Sequence, residues 1–338
     1  MIRFFDDGTE PDHALLGGKA ASLVAMTAAG MPVPPGFAVT TAVYDEAVGG
    51  LDVRADLARL DPGDLTAADA VCARIRRRIR ALEVPAAQRI LDAYDALQER
   101  CGADVPVAVR SSATAEDLPD ASFAGQQDTY LWVRGGDAVL EHVRRCWASL
   151  YTCRAVLYRH KHGIADEGLS MAVAVQAMVD ARVAGVAITM DPATGDRSKI
   201  TIDASYGLGE QVVSGRVTPD NIVLDKVLLC VVAETIGDKH AELVADGGRI
   251  VERAVDDGRR RRRCLTDDEL AAVARLAKRA EKHYGCPQDV EWAMAGSDLY
   301  LLQARPETVH SGAPRTQAAP VRAGIDLSGI TSMLTTRR

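Results

Sequence analysis

The spacing of hydrophobic residues predicts both helices and strands in this chain. Residues 51–100 predict helices, because apolar positions recur there every three or four residues. The positions on this apolar face are Val71, Ile75, Ile79 and Leu82. Residues 171–179, Met-Ala-Val-Ala-Val-Gln-Ala-Met-Val, predict a strand whose side chains alternate between two faces.

A second pattern, in residues 287–309, predicts a β-hairpin that gathers polar side chains. Because strand side chains alternate, Asp289 and Glu291 share one face of the first strand. Gln303 and Arg305 share one face of the second strand. If the turn has three residues, Glu291 lies opposite Gln303, although other registers remain open. A carboxylate beside an amide oxygen suits Mg²⁺. An ordinary polar surface hairpin is the alternative interpretation.

Two glycines and a lysine, Gly17, Gly18 and Lys19, precede an alanine-rich run that predicts a helix ending at Gly30. A helix N-terminus favours an anion, and a lysine there adds a full positive charge. Lys19 is therefore a candidate phosphate ligand. The spacing is not that of a Walker A loop, and a solvated lysine beside a turn is the alternative.

A short apolar strand near residue 107 leads into Arg110 and then into a run of serine, threonine and alanine. A guanidinium in this position can hold two phosphate oxygens at once. The loop that follows contains Gly125 and Gln126, and small residues there allow the backbone to approach a triphosphate closely. A polar surface loop would have a similar composition.

Composition narrows the class of protein. The 338 residues are 47% hydrophobic and 26% charged, which is enough for one large unit or two lobes. The net charge of −7 disfavours general nucleic-acid binding. Seven cysteines without Cys-x-x-Cys spacing, and no long apolar run, predict a reduced cytoplasmic protein without a membrane partner.

Five segments, taken in order, closely resemble the nucleotide-binding domain of the phosphoenolpyruvate synthase, pyruvate phosphate dikinase and rifampin phosphotransferase family. These segments are residues 17–19, 110–127, 204–210, 288–292 and 303–306. The resemblance extends from about residue 12 to about residue 309. It implies an α+β, ATP-grasp fold in which two α/β lobes hold ATP between their sheets. The implied lobes are residues 1–180 and 181–310, followed by a tail or linker at 311–338.

The resemblance also implies ATP and Mg²⁺ as cofactors and assigns roles by position. The residues matched to nucleotide binding are Lys19, Arg110, Gly125, Gln126, Gln176, Met178, Val179, Glu291, Gln303 and Arg305. The catalytic set comprises Lys19, Arg110, Asp289 and Arg305, and the Mg²⁺ ligands are Glu291 and Gln303. Of these, Gln176, Met178 and Val179 match the segment that passes the adenine. Plain core packing is the alternative role for Met178.

The larger relatives carry a swivelling domain with a T-x-S-H-x-A-type segment whose histidine relays the phosphoryl group. None of the seven histidines here has that context. We therefore expect an enzyme that passes a phosphoryl group from ATP directly to a small-molecule acceptor, such as the hydroxyl of an antibiotic or natural product. The start at Met1 and the short tail favour this interpretation. One alternative is the nucleotide-binding subunit of a split system that needs a separate histidine-domain protein. The other is an ATP-grasp ligase.

Overall fold

Two antiparallel sheets and the helices that cover them make up the fold. The computed structural model describes residues 1–114, 117–118, 121–122, 128–166 and 168–307. The predicted nucleotide-loop residues Gly125 and Gln126 lie outside the described residues, as does the predicted tail at 311–338. Within the described ranges, none of the helices has both the length and the apolar content needed to cross a bilayer.

The strands are β1 (Ile2–Phe4), β2 (Gly36–Val39), β3 (Val107–Ala113), β4 (Asp117–Leu118), β5 (Ala121–Ser122), β6 (Thr129–Val133), β7 (Met171–Ala177), β8 (Val183–Ile188), β9 (Lys199–Tyr206), β10 (Asp220–Asp225), β11 (Val231–Thr235), β12 (Ala241–Asp246), β13 (Arg249–Ala254), β14 (Gln288–Ala295) and β15 (Asp298–Pro306). The helices are α1 (His13–Ala28), α2 (Thr41–Val48), α3 (Val53–Leu57), α4 (Leu65–Arg80), α5 (Ala87–Cys101), α6 (Gly136–Ser149), α7 (Cys153–Lys161), α8 (Glu210–Val213), α9 (Asp257–Arg260) and α10 (Asp267–Tyr284).

The first sheet has five strands in the order β1-β2-β7-β3-β6, and the second has six in the order β11-β10-β9-β8-β14-β15. Neighbouring strands are antiparallel throughout both sheets. Helices and antiparallel strands together confirm the α+β class. The chain leaves the first sheet at Ala177 and enters the second at Val183. The division into two lobes stays a prediction.

A layer of helices covers one face of the first sheet. The prediction of helices in residues 51–100 is confirmed by α3, α4 and α5. Ile75 and Ile79 are fully buried, while Val71 and Leu82 are partly buried against the same core. This core includes Phe37, Val107 and Val173 from the central strands. The predicted apolar face therefore packs onto the sheet.

The opposite face of the first sheet carries small residues that accommodate helix α1. Side chains alternate along β7, so Val173 and Val175 join the helical layer while Ala174 points to the other face. The core on that face unites α1 with both sheets. Its members include Leu23 and Met26 of α1, Ala38 and Ala174 of the first sheet, and Ile202 and Trp292 of the second. Helix α1 thus packs against both sheets.

Helix α10 covers the second sheet and begins with a capping box. The hydroxyl of Thr266 accepts a hydrogen bond from the backbone N–H of Glu269, whose carboxylate accepts one from the backbone N–H of Thr266. This reciprocal capping satisfies two N–H groups at the helix start. The buried face of the helix contributes Leu270, Val273 and Leu276.

Candidate functional site

A cavity of about 220 Å³ lies between the two sheets. Most of the residues predicted to bind nucleotide or metal line it: Lys19, Arg110, Gln176, Met178, Val179, Glu291, Gln303 and Arg305. Asp289 is not among the lining residues, but its carboxylate is paired with Arg305. Side chains from distant parts of the sequence therefore meet in one place.

The cavity wall combines an apolar and a polar cluster. Val179, Ala181, Ala184 and Leu208 pack together as a small apolar core, and each of them lines the cavity. The polar cluster contains Arg110, Glu291 and Gln303, which are joined by hydrogen bonds. A wall of this kind can accept a ligand that has one apolar and one charged part.

Arg110, in the middle of β3, connects the first sheet to the second. Its Nη2 donates to Glu291 Oε2 at 3.0 Å and to Gln303 Oε1 at 2.9 Å. Its Nη1 donates to the backbone oxygen of Leu302 at 3.2 Å. Only 12% of the Arg110 side chain and 21% of the Glu291 side chain are exposed, so water screens this pair weakly.

The hairpin β14–β15 has a different turn from the predicted one but retains the predicted pair. Ala295 pairs with Asp298, so two residues, not three, separate the strands. A bulge on β15, opposite the step from Glu291 to Trp292, then shifts the register by one residue. Glu291 consequently lies opposite Gln303, as predicted. The extra residue is Leu302, whose carbonyl accepts from Arg110.

A break inside α1 gives Lys19 its place at the cavity. The helix begins at His13, earlier than predicted, with Asp12 as its N-cap. Gly17 then has φ 64° and ψ 178°, a conformation that is essentially restricted to glycine. The helical conformation resumes after Gly17, so Lys19 lies in the first turn of a second helical segment. This position resembles the helix N-terminus predicted for it.

Ser112, on β3, bonds to both sides of this break. Its hydroxyl donates to the carbonyl of Leu16 at 2.7 Å and accepts from the backbone N–H of Ala20 at 3.0 Å. A Cβ atom at Gly17 would lie 2.0 Å from the Ser112 carbonyl oxygen. Glycine is therefore required by both the backbone conformation and the close approach of β3.

The β7 segment that was matched to adenine contributes a buried amide. Gln176 is only 3% exposed, and its Nε2 has no hydrogen-bond partner among the described residues. A buried donor of this kind is costly unless a ligand or water satisfies it. The backbone N–H of Met178 donates to Pro106 O at 2.9 Å. Met178 also packs against the apolar cluster, so its side chain takes part in both cavity and core.

Asp289 and Arg305 are cross-strand neighbours that form an ion pair. Arg305 donates from Nε at 2.9 Å and from Nη2 at 2.7 Å, both to Asp289 Oδ2. Asp289 Oδ1 is buried and accepts no hydrogen bond from the described residues. Burial raises the pKa of Asp289 above its ordinary value, and the nearby Arg305 opposes this shift. Asp289 thus holds the guanidinium that lines the cavity.

The predicted metal ligands consist of one carboxylate and one amide. Across the residues that the structure describes, no three histidine, cysteine, aspartate or glutamate side chains converge as a metal site. Glu291 Oε2 and Gln303 Oε1 both lie within 3.0 Å of the same guanidinium nitrogen. Two oxygens that share one positive group fit a cation whose remaining ligands are water or phosphate.

The sequence profile of the family described as pyruvate phosphate dikinase, AMP/ATP-binding domain, matches residues 13–323. The chain belongs to this family. Family members bind ATP through this domain, which agrees with the residues gathered in the cavity. The family assignment thereby confirms the resemblance seen in the sequence motifs.

Similar proteins carry two kinds of name. A probable phosphoenolpyruvate synthase from Methanothermobacter thermautotrophicus is 46% identical over 314 residues, which are 91% of this chain and 46% of that protein. The phosphoenolpyruvate synthase of Pyrococcus furiosus is 38% identical, over 91% of this chain and 44% of its own. A rifampicin phosphotransferase from Streptomyces sviceus is 43% identical, over 88% of this chain and 35% of its own. The chain spans less than half the length of these relatives.

Sequence reasoning gave no role to part of the cavity wall. Ala181 and Ala184 lie in segments without a motif, and only their packing identifies them. Leu208 and Glu210 also line the cavity. Both belong to the 204–210 segment that resembles the family, so the motif itself was the available signal.

We expect Gly17→Ala to lower the melting temperature far more than Gly30→Ala. Both glycines have positive φ, so each substitution introduces backbone strain of about 1–3 kcal/mol. Only at Gly17 does the new methyl group collide with backbone, since nothing lies within 4 Å of the position at Gly30. Thermal unfolding of both variants measures the difference. Equal losses of stability would show that the contact with Ser112 is unimportant.

Proposed function

We propose that this chain binds ATP with Mg²⁺ in the cavity and transfers a phosphoryl group from it to a small-molecule acceptor. The supporting observation is the convergence of cationic and oxygen-bearing side chains from both sheets beside an apolar wall. Membership in an ATP-binding family supports the choice of nucleotide. The sheets would form the cores of two ATP-grasp lobes, residues 1–180 and 181–310.

The polar cluster would hold the phosphates. Lys19 would contribute a mobile charge at a helix N-terminus, and Arg110 and Arg305 would each contribute a planar fork of donors. Asp289 would keep Arg305 oriented through its ion pair. Positive groups that are fixed before the reaction stabilise charge on a transferring phosphoryl group without further rearrangement.

Glu291 and Gln303 would hold Mg²⁺ through Oε2 and Oε1. The bound cation would neutralise phosphate charge during transfer. The two residues come from neighbouring strands, and the bulge at Leu302 keeps them directly opposite each other. Both are therefore held by backbone pairing and not by a mobile loop.

The apolar cluster would receive the adenine ring. Val179 and Met178 offer apolar contacts, while Gln176 offers a buried amide donor that has no partner among the described residues. A ring nitrogen of adenine is a suitable acceptor for this donor. Gly125 and Gln126, which lie outside the described residues, remain proposed as part of the phosphate loop.

A second candidate keeps the same nucleotide site but changes the acceptor. The aligned segment is less than half of each named relative, so those proteins contain further sequence. This chain would then charge a histidine on a separate protein, which would carry the phosphoryl group onward. The names phosphoenolpyruvate synthase and rifampicin phosphotransferase are compatible with either acceptor.

We expect Glu291→Gln and Gln303→Ala to weaken the Mg²⁺-dependent part of ATP binding by about tenfold or more, because each removes a ligand oxygen or its charge. Calorimetry with and without Mg²⁺ measures this part. Glu141→Gln is a matched control, since Glu141 is a partly exposed carboxylate on α6 that pairs with Arg145 outside the cavity. Normal Mg-ATP binding by both site variants would show that the hairpin is not the metal site.

We expect Lys19→Ala and Arg110→Ala to reduce turnover on the order of 10²-fold or more, because a lost transition-state contact costs a few kcal/mol. The melting temperature of nucleotide-free Lys19→Ala should change little, whereas Arg110→Ala should also lose stability because it removes the ion pair with Glu291. Lys282→Ala is the control, because Lys282 is exposed on α10. Near-normal rates in the two site variants would show that Lys19 and Arg110 are ordinary cations without a role in catalysis.

The nucleotide product should distinguish the two candidates. Direct transfer of the γ-phosphoryl group requires the acceptor within about 3–3.5 Å of attack and leaves ADP. A histidine relay in the manner of the dikinases leaves AMP. Chromatography of the spent nucleotide separates the two. AMP formed in step with phosphorylated acceptor would rule out direct γ-transfer, and turnover only after a second protein is added would support the relay.

A further inference from the structure

Arg110 occupies the place between the two oxygens that we propose for the metal. Its Nη2 lies 3.0 Å from Glu291 Oε2 and 2.9 Å from Gln303 Oε1. A Mg²⁺ ion bound to both oxygens would lie about 2.0–2.1 Å from each. A guanidinium nitrogen and a cation cannot share this space, since they would overlap and repel each other.

The guanidinium also retains an unused donor in this position. Arg110 Nε is buried and has no hydrogen-bond partner among the described residues. The present contacts use Nη1 and Nη2 but leave the buried Nε–H without a partner among the described residues, which is unfavourable. A phosphate in the same cavity could accept from the whole guanidinium edge.

We infer that Arg110 acts as an exchangeable occupant of the metal site. In the nucleotide-free protein it holds Glu291 and Gln303 in place and competes with free divalent cations. When the nucleotide binds, the phosphates of the nucleotide attract Arg110 away from Glu291 and Gln303. The oxygens of these two residues are then available to the cation. The metal therefore enters with the nucleotide. This inference rests on the proposed function, because it assumes that Glu291 and Gln303 are the metal ligands.

The inference predicts that removing a positive side chain strengthens cation binding. Mn²⁺ can replace Mg²⁺ and is observed directly by electron paramagnetic resonance. Without nucleotide, Arg110→Met should bind Mn²⁺ about tenfold or more tightly than the unmodified protein, since the competing charged hydrogen bonds are lost. Arg110→Lys should give an intermediate affinity, because a single ammonium group replaces the fork of donors.

Two controls separate this effect from a general change in charge. Arg74→Met removes an arginine that donates to Asp56 at 2.9 Å in the helical layer, and it should leave Mn²⁺ affinity unchanged. Adding Glu291→Gln to Arg110→Met should abolish the gain. Circular dichroism confirms that the variants are folded. An equal gain in Arg74→Met, or a gain that survives Glu291→Gln, would overturn the inference.

Adding a non-hydrolysable ATP analogue should reverse the order of Mn²⁺ affinities. The unmodified protein should then bind Mn²⁺ more tightly than Arg110→Met, because Arg110 holds the phosphates that provide further ligands. If Arg110→Met gains no affinity without nucleotide while Glu291→Gln still weakens Mg-ATP binding, the exchange is wrong and the proposed metal site stands. If Glu291→Gln changes neither the affinity for Mn²⁺ nor the affinity for Mg-ATP, the proposed metal site itself is wrong.

Discussion

The contact of Arg110 with Glu291 and Gln303 joins the two sheets at the wall of the cavity. The guanidinium comes from a central strand of the first sheet, and both acceptors come from the hairpin of the second. A partly buried charge is stable only when its hydrogen bonds are satisfied. This requirement fixes the two sheets relative to each other at the polar part of the cavity. Helix α1, which packs against both sheets, also joins them through a shared apolar core.

Two local departures from regular structure set the positions of the site residues. The bulge at Leu302 restores the pairing of Glu291 with Gln303 after a two-residue turn, and it provides a carbonyl for Arg110. The left-handed backbone at Gly17 starts a new helical segment close to Lys19 and admits strand β3. The bulge disrupts the regular hydrogen bonding of the strands. Glycine at position 17 loses more conformational freedom on folding than another residue would. Both occur where a charged side chain faces the cavity.

The cavity is suited to a ligand with a flat apolar part and an anionic part. The apolar cluster around Val179 and Leu208 and the polar cluster around Arg110 belong to the same wall. This arrangement agrees with membership in an ATP-binding family. Relatives that are similar to this chain carry the names phosphoenolpyruvate synthase and rifampicin phosphotransferase.

The sequence by itself determined the helices of residues 51–100, strand β7, the hairpin and the family, because periodicity and motifs are local properties of the chain. It also indicated Lys19, Glu291 and Gln303 as polar groups at defined positions. Only the tertiary structure decided that Arg110 lies between Glu291 and Gln303, since Arg110 and Glu291 are 181 residues apart. It likewise decided the two-residue turn with its compensating bulge, because strand register depends on the packing of the whole sheet.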